Sequence, residues 1–262
     1  MISESGLMDG LNSVHWMKSL RIIFDNMSDL ENKIDFDEVF LVIPAYNEEK
    51  TVSAIIEEIA SQGYNVVLVN DGSKDNTLEL AMQSQEKFPN KIFIVSHMIN
   101  RGLGAALKTG MSVALKHGAR YILTFDADGQ HEISDIPKVV EPLQAGRADV
   151  VIGSRPFEDM PISKSFANYI MNFLTLVFYG CKVKDSQSGL RGFTADAASK
   201  MDIVSAGYGV SSEFIKKIKD NDLRMEEVII TTIYTTETQN KGTDAIVGLK
   251  ILFKMTIDLF RL

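Results

Sequence analysis

The stretch VFLVIPAYNEEKTVSAIIEEI, residues 39–59, reads as one strand-turn-helix unit. Val39, Phe40, Leu41, Val42 and Ile43 form an apolar run without polar interruption, the mark of a strand covered on both faces. Pro44 has no N–H to give to a ladder and is read as the end of that strand. Val52, Ile55, Ile56 and Ile59 then recur at i, i+3, i+4 and i+7, one face of a helix. Between strand and helix stands Pro44-Ala45-Tyr46-Asn47-Glu48-Glu49, a turn rich in groups that can bind something.

The alternation continues downstream. Val66 to Val69 is a second strand, closed by Asn70-Asp71-Gly72-Ser73, with a helix after it. Ile92 to Val95 is a third strand, and Leu107, Met111, Ala114 and Leu115 mark the following helix. Tyr121 to Phe125 is a fourth strand and Asp149 to Ile152 a fifth. Short β-rich runs alternating with helices predict an α/β fold, a mostly parallel sheet with helices on both faces. Ligands of such sheets bind beyond the carboxyl ends of the strands. The polar clusters at 44–49, 70–73 and 126–131 all fall there. After residue 155 the pattern changes to a long apolar helix over 162–181, a polar loop over 185–193, strand character over 228–234 and a last helix over 243–262.

Bulk properties narrow the function. A chain of 262 residues suffices for one large α/β domain or two small ones. With 45% hydrophobic and 24% charged residues it can build a core, which excludes wholesale disorder. A net charge of −8 argues against a nucleic-acid binder. Cys181 is the single cysteine, so no internal disulfide forms, in keeping with a reducing compartment. The opening MISESGLMDG lacks the basic and apolar regions of a secretory signal. The longest strongly apolar stretch, 169–179, is shorter than the roughly 20 residues that span a bilayer. The expected organisation is a helical extension over 1–37 with Leu11, Val14, Met17, Leu20 and Ile23 at helical spacing, a main domain over 38–240, and an amphipathic helix over 241–262.

The sharpest chemical motif is Asp126-Ala127-Asp128, directly after the fourth strand. Two carboxylates two residues apart at a strand end can converge on one hard divalent cation, Mg2+ or Mn2+, which would bridge to a diphosphate. The same residues would also serve a capped turn. Gln130 and His131 follow, His131 more in the manner of a packing residue than of a ligand. Tyr46 offers a face on which a base can stack, with Asn47 and Glu48 as polar contacts; a plain strand-to-helix turn reads the same way. Asp71 can accept a hydrogen bond from a nucleobase imide N–H, or close an Asx turn.

Taken in order, VIPAYNEE (42–49), VNDGS (69–73), NRGLG (100–104) and DADGQH (126–131) resemble the successive signatures of family 2 glycosyltransferases of the GT-A fold. Gly153-Ser154-Arg155 and DSQSGLRGF (185–193) resemble, within that family, the polyprenyl- or dolichyl-phosphate sugar synthases. The likeness runs from about residue 39 to about 235. It implies that Pro44, Tyr46, Asn47 and Glu48, with Asp71, hold the nucleoside of a nucleotide sugar. Asp126 and Asp128, with Ala127 between them, would hold metal and diphosphate, and Gln130 the sugar or diphosphate region. Arg155 and Arg191 would face the anionic groups, although a surface salt bridge would also account for Arg155. Asp185 would stand on the acceptor side and orient the nucleophile. The resemblance further implies single displacement with inversion, a UDP-sugar in preference to GDP-mannose, and a lipid-phosphate acceptor. A lipid phosphate, with a second pKa of about 6, is already ionised and needs no strong base.

Two stretches point to a bilayer surface. Phe166, Ile170, Phe173, Leu174, Val177 and Phe178 make an aromatic-rich helical face, which core packing would equally explain. In the last helix Lys250, Lys254, Asp258 and Arg261 form one polar stripe in an otherwise apolar segment, suited to an interface or to a partner. The expected location is therefore peripheral, on the cytoplasmic side of a membrane, with oligomeric state open. Two other readings stand beside this one. One is a family 2 transferase acting on a saccharide hydroxyl, with Glu213 as base. The other is a non-catalytic nucleotide-sugar-binding scaffold, against which the Asp126/Asp128 pair argues.

Overall fold

The computed structural model describes residues 34–156, 162–205 and 209–231, apart from the side chains of 162–167, 174 and 178. The chain divides into two units, Met1–Ile34 and Asp35–Leu262, and the sheet with its helices belongs to the second. The expected N-terminal and C-terminal helices, and the side chains of Phe166, Leu174 and Phe178, lie outside the described residues.

Among the described residues seven strands form one sheet. They are β1 (Val39–Ala45), β2 (Asn65–Asn70), β3 (Ile92–Ser96), β4 (Tyr121–Thr124), β5 (Val150–Ser154), β6 (Arg191–Thr194) and β7 (Met225–Ile229), in the order β3-β2-β1-β4-β6-β5-β7. β1 pairs in parallel with β2 and β4, β2 with β3, and β5 with β7. β6 alone is reversed, antiparallel to both β4 and β5. The sheet is mostly parallel, as expected, and the helices cover it. These are α1 (Val52–Ser61), α2 (Thr77–Lys87), α3 (Leu103–Lys116), α4 (Ile136–Gln144), α5 (Ile162–Tyr179), α6 (Ala195–Ser199) and α7 (Gly209–Asp220).

Burial explains the runs read in the sequence. β2 is buried at every residue and β1 at all but Pro44, because helices cover both faces. One core layer gathers Phe40, Val42, Val67, Val69, Leu107, Met111, Ile122, Phe193 and Phe214. α3 lies close on β1 and β2, and the approach requires Gly110: a Cβ there would fall 2.3 Å from Val42 Cγ1. α4 packs on β5 and β6, and Gly192 makes room for it, since a Cβ would lie 2.6 Å from Val139 Cγ1.

Three expectations are corrected. Pro44 does not end β1, which continues through Ala45 in register with Asn70. Pairing with β4 has already stopped at Val42↔Thr124, so the missing N–H of Pro44 interrupts no ladder on that side. The segment read as loop over 185–193 ends in β6, too short a strand to show alternation in sequence. The last strand lies at Met225–Ile229 rather than 228–234, and residues 232–234 are outside the described part.

The reversal of β6 has a functional consequence. β1, β2, β4 and β5 all end at one edge of the sheet. β6 starts at that edge, with Arg191 opposite Thr124 on one side and Ile152 on the other. The loop before β6 is thereby delivered to the ends of β4 and β5. The chain leaves β1 toward β2 and β3 on one side, while β4 lies on the other, so the ends of β1 and β4 flank the crevice where sheets of this kind bind ligands.

Candidate active site

The first half of the site is built by the turns after β1 and β2, which lace into each other. Asn47 adopts a left-handed conformation, φ 56°, which Asn tolerates better than most residues. Its N–H donates to Ser73 Oγ at 3.0 Å, and its Oδ1 accepts from the Lys74 N–H at 2.8 Å. The Glu48 N–H donates to Thr77 Oγ1 at 2.8 Å, at the start of α2. Tyr46 is left on the outside of this clasp and is exposed, whereas Asp71 is buried. Asp71 Oδ1 accepts from the Arg101 N–H at 2.9 Å and meets His97 Nδ1 at 2.7 Å; its Oδ2 accepts from the Gly102 N–H at 2.7 Å.

The second half is the turn after β4. Thr51 Oγ1, at the head of α1, donates to the Ala127 carbonyl at 2.7 Å and ties this turn to the first. Asp128 Oδ1 accepts from the Gln130 N–H at 3.0 Å, and the Gln130 side-chain amide donates to Oδ2. His131 is buried, packs edge-on against Phe125 with ring centroids 5.5 Å apart, and brings Nε2 to 3.3 Å from Asp126 Oδ2. Burial works to raise the Asp126 pKa but is outweighed by His131, Arg191 and Arg155, which hold it below its ordinary value. Asp128 is shifted the other way, up, by burial and by the neighbouring Asp126 charge.

The third component is the loop before β6. Thr124 Oγ1 donates to the Gly189 carbonyl at 2.6 Å, and the Gly153 N–H donates to the Leu190 carbonyl at 2.9 Å, so the loop spans β4 and β5. Gly189 rests directly on the metal-motif turn: a Cβ there would fall 1.8 Å from Asp126 Oδ2. Asp185 is fully buried. It accepts two bonds from Arg155, Nε at 2.6 Å and Nη2 at 2.9 Å, a third from the Arg155 N–H at 3.2 Å, and a fourth from Asn168 Nδ2 at 3.0 Å. That geometry commits Asp185 to Arg155 rather than to a nucleophile. Arg191, expected to face anions, is instead buried, its Nη2 donating to the Ser186 carbonyl at 3.0 Å and Ser211 Oγ at 2.9 Å, its guanidinium 5.0 Å over the Phe214 ring. Burial lowers its pKa to about 10, against the opposing pull of Asp126 and Asp185.

Asp126, Asp128, Gln130, Arg155 and Arg191 thus gather around one end of the sheet, with Pro44, Tyr46, Asn47, Glu48 and Asp71 across the crevice. Among the described residues no three His, Cys, Asp or Glu side chains form a closed metal cage. What the turn offers a hard divalent cation is two oxygen donors, and a diphosphate would complete the coordination. The donor chemistry fits Mg2+ or Mn2+. A groove of about 500 Å³ runs along α3, lined by Arg101, Lys108, Thr109, Lys116 and Ser205 among others, and includes neither Asp126 nor Asp128. Sequence reading missed Gly189, Asn168, His97 and Asn172, which takes the Ser186 N–H on its Oδ1 at 2.9 Å. Gly189 alone carried a signal, as the glycine inside the SQSGLRG stretch.

The family model for glycosyl transferase family 2 matches residues 40–201. The chain belongs to glycosyl transferase family 2. As a family 2 member it is 44% identical over 232 residues to an uncharacterized protein of Methanocaldococcus jannaschii, covering 86% of this chain and 93% of that one. It is 36% identical over 236 residues to the UDP-N-acetylglucosamine–dolichyl-phosphate N-acetylglucosaminyltransferase of Methanococcus voltae, covering 83% and 94%. The fold is that of glucosyl-3-phosphoglycerate synthase from Mycobacterium tuberculosis, at TM-score 0.65 and 17% identity, covering 87% and 82%, in a crystal structure of that enzyme with Mn2+, UDP and phosphoglyceric acid. This family 2 chain is therefore a glycosyltransferase of GT-A architecture, and the sequence resemblance is confirmed.

Proposed function

We propose that this glycosyltransferase moves a sugar from a nucleotide sugar, a UDP-sugar in preference to GDP-mannose, onto a polyprenyl or dolichyl phosphate with inversion. The observation that carries the reading is the seating of the 185–190 loop on the metal-motif turn, Gly189 against Asp126. It supports an acceptor segment and a donor-diphosphate segment that share one reaction centre. The name of the Methanococcus voltae relative supports the acceptor class and the donor nucleotide.

In this reading Pro44, Tyr46, Asn47 and Glu48 receive the nucleoside, with Asp71 beneath them. Asp126 and Asp128 hold Mg2+ or Mn2+, which when bound supplies charge stabilisation to the departing diphosphate. Gln130 steadies Asp128, to which it is hydrogen-bonded. Arg155 presents its cation at the mouth of β5, and Asp185 is the residue that aims it. Arg191 contributes a buried positive charge which, after His131, helps hold the Asp126 pKa below its ordinary value. The lipid phosphate oxygen attacks the anomeric carbon as the bond to the nucleoside diphosphate breaks. Positioning two mutually repelling anions is the main task, and it is met by fixed charges rather than a base.

Membrane contact is assigned to α5. Tyr169, Phe173, Leu176 and Val177 are exposed at i, i+4, i+7 and i+8, a single apolar face. No helix among the described residues is long and apolar enough to cross a membrane. The domain, taken as residues 38–240, would then work as a peripheral enzyme on the cytoplasmic side, without nucleic-acid partners. The hydroxyl-acceptor reading needs Glu213 as base, but its two oxygens accept the N–H groups of Val204 at 3.0 Å and Ser205 at 2.7 Å.

The deciding experiment incubates the protein with a panel of labelled nucleotide sugars, Mn2+ and either dolichyl phosphate or soluble saccharides. Label that moves into the organic phase with one donor, and is lost in Asp128→Asn, is the expected result. Label found only in soluble saccharide would overturn the acceptor assignment.

A further inference from the structure

His97 makes no contact with the metal-motif turn or the 185–190 loop among the described bonds, yet its ring, in a side chain only 7% exposed, lies beside Asp71 with both nitrogens engaged. Nδ1 lies 2.7 Å from Asp71 Oδ1, and Nε2 lies 3.0 Å from Thr109 Oγ1 on α3. Its own N–H donates to the Asn70 carbonyl at 2.9 Å, which places the ring at the end of β2. An ionised carboxylate only accepts, so Nδ1 must carry a proton, and the Thr109 hydroxyl can serve Nε2 in either ring state.

The count of bonds on Asp71 is informative. A carboxylate has about four acceptor positions. On Asp71, Oδ1 takes His97 and the Arg101 N–H, and Oδ2 takes the Gly102 N–H. One position remains on Oδ2 among the described contacts. The turn that supplies the two backbone donors is held hard against the turn after β2: at Gly72, φ 70°, a Cβ would lie 2.6 Å from Asn100 N. Asp71 is thus clamped on three sides, and among the described residues His97 is the one side chain that bonds it.

We infer that His97 is a positioning residue for nucleobase recognition: wedged between Thr109 and Asp71, it orients the Asp71 carboxylate so that one acceptor position is left for a base that presents an imide N–H. This rests on the donor-site reading under the proposed function. It extends that reading to the nucleotide class, since uracil and guanine carry a ring N–H where cytosine carries an acceptor. Thr109 contributes through His97 and not by contact with the nucleotide.

The test compares wild type with His97→Leu, His97→Asn and Thr109→Val by calorimetry with UDP and with CDP, and by steady-state kinetics, with circular dichroism as the check on folding. Asn can place an amide N–H where Nδ1 stands; Leu cannot. His97→Leu is expected to bind UDP about tenfold or more weakly, the effect of removing one partner of a buried acceptor. Its preference for UDP over CDP should narrow, its kcat at saturating donor should stay near wild type, and His97→Asn should recover most of the affinity. Thr109→Val should fall between them. Unchanged UDP affinity in folded His97→Leu, or a loss confined to kcat, overturns the inference and leaves the donor site standing. If His97→Leu does not fold, wild-type UDP affinity together with an intact preference over CDP in folded Thr109→Val overturns it too. A wild-type protein that binds neither nucleotide overturns the donor-site reading itself.

Discussion

Arg155 and Asp185, thirty residues apart in sequence, form a two-point ion pair, Nε to Oδ2 at 2.6 Å and Nη2 to Oδ1 at 2.9 Å. The aspartate is fully buried and the arginine is partly buried, at 17% side-chain exposure. A charge so placed is tolerated only while its partner stays. Arg155→Ala should therefore destabilise the protein by about 3 kcal/mol, the usual cost of stranding one member of a buried pair. Asp185→Asn keeps the shape and should lower transfer to the lipid phosphate more than it lowers donor binding. Urea denaturation and parallel calorimetry check both; an Arg155→Ala protein as stable as wild type would show that Asp185 does not depend on it.

Gly189 is a steric requirement of the site. A methyl group added there would overlap Asp126 Oδ2, at 1.8 Å, and the carboxylate would have to swing away. Gly189→Ala should cut kcat by roughly 100-fold, the scale of a small misplacement in a positioned site. The midpoint of thermal unfolding should move little by comparison. Activity within a few-fold of wild type would mean that Asp126 can relocate freely and that its place is not what matters.

The exposed face of α5 makes a prediction about lipid. Phe173→Ser together with Val177→Ser removes two exposed apolar side chains, each worth about 1.5–3 kcal/mol when fully buried. Sedimentation with anionic liposomes should fall at least tenfold while UDP affinity is unchanged. The same helix also carries Asn168 and Asn172, which bond the 184–186 loop. Asn172→Leu should therefore leave liposome binding intact and impair transfer. Full sedimentation of the double serine variant would remove α5 from the membrane contact.

The pair at the start of β5 gives the protein a pH dependence. Arg224 Nη2 lies 2.7 Å from Asp149 Oδ1, and Nε lies 3.0 Å from Oδ2. The Arg224 hydrogen bond, against the opposing effect of burial, holds the Asp149 pKa below its ordinary 3.8. A carboxyl with a depressed folded pKa adds stability that is fully present above the unfolded value and is lost as pH falls through the folded one. Asp149→Asn should lower the urea midpoint at neutral pH, and the gap to wild type should close as the pH falls below the ordinary 3.8 and through the lowered folded value. A gap that persists in acid would assign the effect to packing.

The alternation of strand and helix, the buried character of β1 and β2, and the edge at which the polar turns cluster were all legible from the chain alone. Apolar runs and helical periodicity are local properties, and both faces of a parallel sheet must be covered wherever it occurs. That Tyr46, Asp71, Asp126 and Asp128 stand just past strand ends was legible for the same reason. Other features arise only when distant segments meet. β6 is four residues long and runs against its neighbours, and nothing within RGFT announces either fact. Its reversal is what carries Gly189 onto Asp126 and Asp185 beneath Arg155. The partners of Asp185 come from a turn after β5 and from α5, and those of Asp71 from a turn thirty residues on. A carboxylate's role depends on which donors already occupy it. That is a property of packing between distant segments, so spacing along the chain could nominate Asp185, Arg191 and Asp71 but could not say which way each would face.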